Sequence, residues 1–354
     1  MAGSSIGRLL TLTTWGESHG PGLGGVLDGY PAGVAIDLDF IQGEMDRRRP
    51  GHSRLSTQRR EDDRLEILSG VYDGKSTGTP LAFQVRNMNQ KSGDYDELKD
   101  VYRPSHADYA YHMKYGNVDH RGGGRSSGRE TSMRVAGGAL AKLALRENGI
   151  SIVAGVRSIG TVIDQTDDFN PPFLNPVTAI NADLAQAFAD EIDKARMDTD
   201  SVGGIVECRI FGLPAGLGEP VFDRLDADLA KAVMSIGACK GVEIGLGFES
   251  ARHRASQIND QMAIVDGKPV FLSNNSGGIQ GGISNGETVI LRAAFKPTPS
   301  IALAQRTVTK YGQEKTIGIK GRHDPCIVPR AVVVVEAMCA LTVLDHLLSW
   351  RAYE

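Results

Sequence analysis

The sequence of 354 residues predicts an α+β fold in one domain. Strand-like segments fall into groups suited to antiparallel pairing and do not alternate regularly with helices, which disfavours a doubly wound sheet. No linker cleanly divides residues 1–354, and no internal repeat is visible. A chain of this length supplies a large core for such a unit.

The elements follow in order. Residues 9–14 alternate as a strand does, a turn breaks them at 15–21, and 24–27 supply a partner. Asp39 is placed to cap a short helix over 40–48 that ends before Pro50. Strands are expected at 65–68 and at 81–85, where Leu81, Phe83 and Val85 alternate. Near mid-chain, Gly122, Gly123 and Gly124 lead into a helical pattern carried by Met133, Val135, Ala136, Ala139, Leu140 and Leu143. A strand at 150–159 precedes residues 161–202, which hold nine acids, two bases and Pro171, Pro172 and Pro176. Such polarity marks an acidic peripheral insertion with one helix near 183–197. A strand at 204–211, a helix at 223–234, a glycine-rich turn at 277–283, a strand at 288–295 and a long helix at 331–351 complete the chain.

Composition limits the function. With 39 basic and 43 acidic residues, the net charge of −4 argues against a surface built for nucleic acid, so any anion site is local. The cysteines Cys208, Cys239, Cys326 and Cys339 are scattered without metal-ligand spacing, which suits a reduced, cytoplasmic compartment and predicts no metal. No signal-like N-terminal pattern and no uncharged apolar run of spanning length is present, so no membrane association is expected.

The chemistry concentrates in 116–139. Three successive glycines let backbone approach a ligand, Arg121, Arg125 and Arg129 add fixed charge, and Ser126, Ser127 and Thr131 add hydroxyls at a helix start. No Gly-Lys-Ser/Thr closes the loop, so it is not a P-loop. Between 47 and 60 stand six arginines (47, 48, 49, 54, 59 and 60) and no acid, a cluster suited to phosphate; the plainer reading is a solvated basic face. Two imidazoles follow glycine- or proline-bearing turns: His19 in Gly16-Glu-Ser-His-Gly20, and His106 in Arg103-Pro-Ser-His-Ala-Asp108. In the second, Ser105 is expected to cap a helix with Asp108 as its acid. Lys296-Pro-Thr-Pro-Ser300 and Arg322-His-Asp-Pro-Cys326 add a lysine, hydroxyls and a carboxylate. These groups define an anionic pocket without naming a reaction.

Taken together the motifs resemble the chorismate synthase family. Gly16-Glu-Ser-His-Gly20, Arg121-Gly-Gly-Gly-Arg-Ser-Ser-Gly-Arg-Glu-Thr131 and Arg322-His-Asp-Pro-Cys326 occur in the family's order, with Arg47-Arg-Arg-Pro-Gly51, Val242-Glu-Ile-Gly245 and Lys296-Pro-Thr298 between them. The resemblance implies a β-α-β sandwich with internal pseudo-symmetry, usually a homotetramer. It implies a shikimate-pathway lyase that converts 5-enolpyruvylshikimate 3-phosphate to chorismate by 1,4-anti elimination, with reduced FMN required and no net redox change.

Carried over by motif, His19 protonates the departing phosphate with Ser18 beside it, and His106 protonates the reduced flavin near N1. Asp324 and Ser127 assist proton removal at flavin N5. Arg48, Arg54 and Arg134 hold the substrate's phosphate and carboxylates. Flavin contacts fall on Arg125, Ser126, Ser127, Gly237, Ala238, Gly281, Lys296, Pro297, Thr298, Pro299, Ser300 and Arg322. Two positions depart from the family pattern: His120 stands where an aromatic is common, and Gly237 replaces the usual Asn or Pro, loosening a flavin contact. The chain has no dinucleotide fingerprint, so an external flavin reductant is expected. The rival readings are a flavin-dependent oxidoreductase acting on a phosphorylated substrate and a nucleic-acid module built on the arginines.

Overall fold

The computed structural model describes residues 3–49, 63–87, 99–119, 123–319 and 324–353. Two five-stranded antiparallel sheets enclose a layer of helices. The first sheet holds β1 (Ser5–Ile6), β2 (Thr11–Gly16), β3 (Gly22–Asp28), β4 (Glu66–Ile67) and β7 (Leu81–Arg86) in the order β1-β2-β3-β7-β4. A small hairpin, β5 (Val71–Tyr72) and β6 (Lys75–Ser76), lies between β4 and β7 in the chain. The second sheet holds β8 (Ser151–Ile159), β9 (Val162–Ile163), β10 (Gly204–Phe211), β11 (Cys239–Ile244) and β16 (Val289–Phe295) in the order β11-β16-β10-β8-β9. Three further hairpins stand apart from the two sheets: β12–β13 (Met262–Val265, Lys268–Phe271), β14–β15 (Ile279–Gln280, Ile283–Ser284) and β17–β18 (Gln305–Val308, Glu314–Ile317).

The helices are α1 (Leu38–Arg48), α2 (Asp108–Tyr115), α3 (Thr131–Arg146), α4 (Ala185–Met197), α5 (Leu225–Met234), the single turn α6 (Ala255–Ile258) and α7 (Val328–Arg351). Helix α3 packs on α1, α7 and both sheets, and α7 packs on α5, β8 and β10. Each half of the chain thus contributes one antiparallel sheet and two central helices, which is the β-α-β sandwich the motifs implied. Alternation decides which face turns inward: in β16, Val289, Leu291, Ala293 and Phe295 are buried while the residues between them are partly exposed. Gly138 lets α3 and α7 touch, since a Cβ there would meet the Ala337 side chain at 2.3 Å.

Helix α7 is long and apolar enough to cross a membrane, yet it is buried almost throughout between the sheets. Inside this layer Lys142 Nζ lies 2.5 Å from both Glu44 Oε2 and Glu336 Oε2, and Arg47 forks onto Glu336 at 2.7 and 2.9 Å. These ion pairs join α1, α3 and α7.

Several boundaries move relative to the sequence expectation. Helix α1 is capped by Asp37, whose carboxylate accepts the Phe40 N–H at 2.9 Å, and Asp39 lies in its first turn. The acidic stretch 161–202 runs from β9, an edge strand, through α4. Its Val177, Ala179, Phe188 and Ile192 are buried in the main core.

Candidate active site

One cleft of about 1190 Å³ opens where the glycine loop, the start of α3, the residues after α5 and the end of β16 converge. Gly123 and Gly124 have φ of +95° and +52°, and two 3-10 turns, Gly124–Ser126 and Gly128–Glu130, lead from them into α3. A Cβ on Gly123 would lie 3.3 Å from both His106 Cε1 and Ser126 Oγ, a tight fit that adds to the preference for glycine set by its positive φ. The loop's hydroxyls close its own turns: Ser126 Oγ donates to Gly123 O at 2.7 Å, Ser127 Oγ accepts the Arg129 N–H at 3.3 Å, and Thr131 Oγ1 donates to Gly128 O at 2.6 Å.

The cationic wall is arranged by specific anchors. Arg125 lines the cleft and ties the loop to the end of β2 through Thr14 Oγ1 at 2.7 Å and the Thr14 and Gly16 carbonyls at 3.2 Å. Arg134 lines it too, held by Glu130 at 2.8 Å and by Ser235 Oγ at 2.6 Å. Lys296 Nζ donates to Ser105 O at 2.8 Å, and its backbone N–H donates to Ala238 O at 3.0 Å. Ser105 and Ala238 are non-glycine residues with φ of +55° and +69°, and both line the cleft. Left-handed backbone of this kind persists where surrounding contacts enforce it, and here Lys296 touches both.

His106 faces the same space. Its Nδ1 lies 2.7 Å from Asp108 Oδ1, and Arg103 clamps Asp108 with Nε and one terminal nitrogen, each at 2.7 Å. Burial by itself would raise the Asp108 carboxyl, but the hydrogen bonds from His106 and Arg103 hold it well below the usual range. The expected cap by Ser105 does not form: α2 begins at Asp108 after Ala107 with no side-chain cap, because Asp108 turns back to Arg103 and His106.

His19 is 8% exposed in the turn after β2. Asn87 holds that turn, donating through Nδ2 to Gly20 O at 2.8 Å and Glu17 O at 3.2 Å and accepting from Arg129 Nε at 2.7 Å. Arg129 reaches Asp63 at 2.8 Å, and Asp63 meets Arg48 at 2.5 Å. Burial would raise the Asp63 carboxyl, but the two guanidiniums outweigh it and keep it ionised. Arg48 is 1% exposed and donates to Gly128 O at 3.3 Å, so its setting is behind the glycine loop. The arginine run is also less uncompensated than its sequence suggested: Arg47, Arg48 and Arg49 each meet a carboxylate.

The cleft thus brings together His106, Arg125, Ser126, Ser127, Arg134, Gly237, Ala238, Lys296, Thr298 and Pro299 among the expected residues, and Glu17 also lines it. Ser18, His19, Arg48, Pro297, Ser300 and Asp324 lie next to it in the chain or the network but not on its lining. Asp324 is ion-paired with Arg330, and its carbonyl accepts the Thr298 hydroxyl at 2.8 Å. Gly281 is exposed at the turn of the β14–β15 hairpin, outside the lining. Arg54, His120 and Arg322 fall outside the described residues. Sequence reasoning passed over Asp63, Asn87 and Ser235 as site groups. The only local signal was for Asp63, the last of three acids that follow the arginine run.

A helix layer between two antiparallel sheets, opening at one end into a glycine-floored cationic cleft beside an imidazole, defines an α+β enzyme for anionic ligands. Known proteins resemble this chain over nearly its whole length. The family model described as chorismate synthase matches residues 10–348, and the chain belongs to that family. It is 52% identical to the chorismate synthase of Lachnoclostridium phytofermentans over 99% of this chain and 96% of the relative. It is 53% identical to that of Methanosarcina mazei over 98% and 97%. A crystal structure of a chorismate synthase superposes with a TM-score of 0.75 at 34% identity, covering 97% of this chain and 92% of the other. The family is one of carbon–oxygen lyases acting on phosphates, and membership decides against the oxidoreductase and nucleic-acid readings.

Proposed function

We propose that the cleft binds 5-enolpyruvylshikimate 3-phosphate together with reduced FMN and forms chorismate by 1,4-anti elimination. One C–O bond and one C–H bond break and one C=C bond forms, so no net oxidation occurs. The observation that carries this reading is the cleft itself. Its volume of about 1190 Å³ exceeds the roughly 300–1,000 Å³ usual for one small ligand, and His106, Ser127, Arg134 and Lys296 share its walls.

The residues present fit a flavin nucleotide. Gly123 leaves a side-chain-free floor against His106, Gly237 leaves open space where a Cβ would meet nothing within 4 Å, and Arg125 and Lys296 supply charge. Ser126, Ser127, Ala238, Thr298 and Pro299 complete that wall, with Pro297, Ser300 and Arg322 assigned to it by motif. Reduced flavin, when bound, supplies the electron density that assists loss of the allylic phosphate.

The chain's own residues supply the rest. Arg134 binds the anionic substrate at the cleft, with Arg54 as its assigned partner, and Arg48 acts from behind the glycine loop. His19, with Ser18 beside it, holds the proton given to the departing phosphate, which leaves more readily when protonated. His106 exchanges a proton with the cleft through the ring nitrogen that faces it. Ser127 and Asp324, the latter joined to the wall through Thr298, assist removal of the ring proton. We assign the enzyme to the cytoplasm as a homotetramer, with flavin reduced by an external reductant.

The deciding experiment is an anaerobic assay with substrate and reduced FMN that follows chorismate and phosphate together. Equal release over many turnovers per flavin, with flavin still reduced at the end, is expected. Reductant consumed in proportion to product contradicts the reading, and FMN reduction by NADPH alone on purified protein contradicts the external reductant.

A further inference from the structure

We propose that Asp108, braced by Arg103, is a positioning residue that fixes the proton of His106 on Nδ1 and leaves Nε2 to exchange protons with the cleft. The inference rests on the role given to His106 above and extends it to residues with no assigned function.

Asp108 stays ionised, and an ionised carboxylate only accepts hydrogen bonds. The 2.7 Å contact from His106 Nδ1 to Asp108 Oδ1 therefore requires the hydrogen to sit on Nδ1. In the neutral ring, Nε2 is then the acceptor; in the cation, it is the acidic N–H. Nε2 makes no hydrogen bond to any described residue, and the ring lines the cleft.

Asp108 cannot turn away from this task, because Arg103 holds it from three sides. The Arg103 backbone N–H donates to Oδ2 at 3.1 Å, Nε donates to Oδ2 at 2.7 Å, and Nη2 donates to Oδ1 at 2.7 Å. Arg103 itself is 7% exposed. A plain helix-starting role for Asp108 would leave its carboxylate on the free N–H groups of α2, and the carboxylate faces the other way. A Cβ on Gly123 would lie 3.3 Å from Cε1 and 3.7 Å from Nε2, so the glycine keeps the cleft-side edge of the ring clear.

Asp108→Asn tests this with nearly unchanged shape. Arg103 presents two donors to the Oδ2 position, so the amide oxygen settles there and the amide NH₂ faces His106 Nδ1. That arrangement demands an acceptor at Nδ1 and moves the proton to Nε2. The same swap in the Ser-His-Asp triad produces the wrong tautomer and a loss of about 10⁴ in turnover. Here a fall in kcat of at least about a hundredfold is expected, with KM for the substrate changed less than about threefold.

The decisive readout does not need flavin. Magic-angle-spinning NMR of protein with ¹⁵N-labelled histidine, with the His106 signals identified by their loss in His106→Ala, reports which ring nitrogen carries the proton in the neutral form. The parent enzyme is expected to show Nδ1–H and Asp108→Asn to show Nε2–H. Nε2–H in the parent overturns the proposal, as does a parent-like tautomer and rate in Asp108→Asn. Because the parent spectrum decides alone, poor folding of the variant does not protect the idea. Normal turnover by His106→Ala instead removes the role given to His106 and leaves the tautomer result to stand.

Discussion

Lys142→Met removes the ammonium from the middle of the helix layer while keeping most of the side chain's volume. Lys142 is 8% exposed and meets two carboxylates at 2.5 Å, from Glu44 and Glu336. Without it, two buried acids share the single guanidinium of Arg47. Breaking a buried pair from one side costs about 3–5 kcal/mol, since the remaining charge is left uncompensated. The same ion pairs make the stability depend on pH. Burial raises the Glu336 carboxyl, but Lys142 and Arg47 outweigh it and hold it at about 2 against an ordinary value of 4.5. Arg47 shares in that depression and remains in the variant, so the substitution removes only the part owed to Lys142. Because the folded value lies below the unfolded one, this stability is complete above pH 4.5 and is lost as pH falls toward 2. Urea denaturation of parent and variant, followed by tryptophan fluorescence, should show a large gap at about pH 7 that narrows toward about pH 3. Equal midpoints at neutral pH, or a gap that keeps its size on acidification, would refute the reasoning.

Three other substitutions test the site. Gly123→Ala places a methyl against His106 and Ser126 in a left-handed conformation costing about 1–2 kcal/mol, and turnover should fall at least about tenfold; parent-like rates contradict the fit. Asn87→Ala frees the turn that carries His19, and kcat should fall up to about a hundredfold while flavin affinity, read by fluorescence quenching, stays within about twofold. Gly237→Asn fills open space on the cleft wall and adds hydrogen-bonding groups, so equilibrium dialysis should show FMN held tighter by about 1 kcal/mol; weaker binding argues against flavin at that wall.

Elements with a strong local period were legible before any coordinates. Strand β10 spans Gly204–Phe211 as expected, and the six apolar positions read for α3, from Met133 to Leu143, are all buried. Some short strands were not, although the two-residue β4 falls inside the expected 65–68: β11 carries Gly241 and Lys240 in six residues, and β1 has only two residues, held by pairing with β2. At the site, the glycine loop and His106 could be read because their chemistry is local. The partners of the arginines could not, since Arg47 meets Glu336 and Lys142 meets Glu44 across 289 and 98 residues. Nothing in a sequence window reveals that Arg129 turns toward Asn87 and Asp63 while Arg125 turns toward Thr14.

Helix α7 follows every strand of both sheets in the chain, yet it lies between them. During synthesis the two sheets therefore emerge before the segment that covers their inner faces exists. Until α7 arrives, Leu12, Phe83, Val156 and Leu291 have no finished core to enter. The nascent chain must be kept from associating through those surfaces, and its last helix is itself apolar enough to attract membrane or chaperone. The centre of the molecule is thus completed by a segment translated after both sheets.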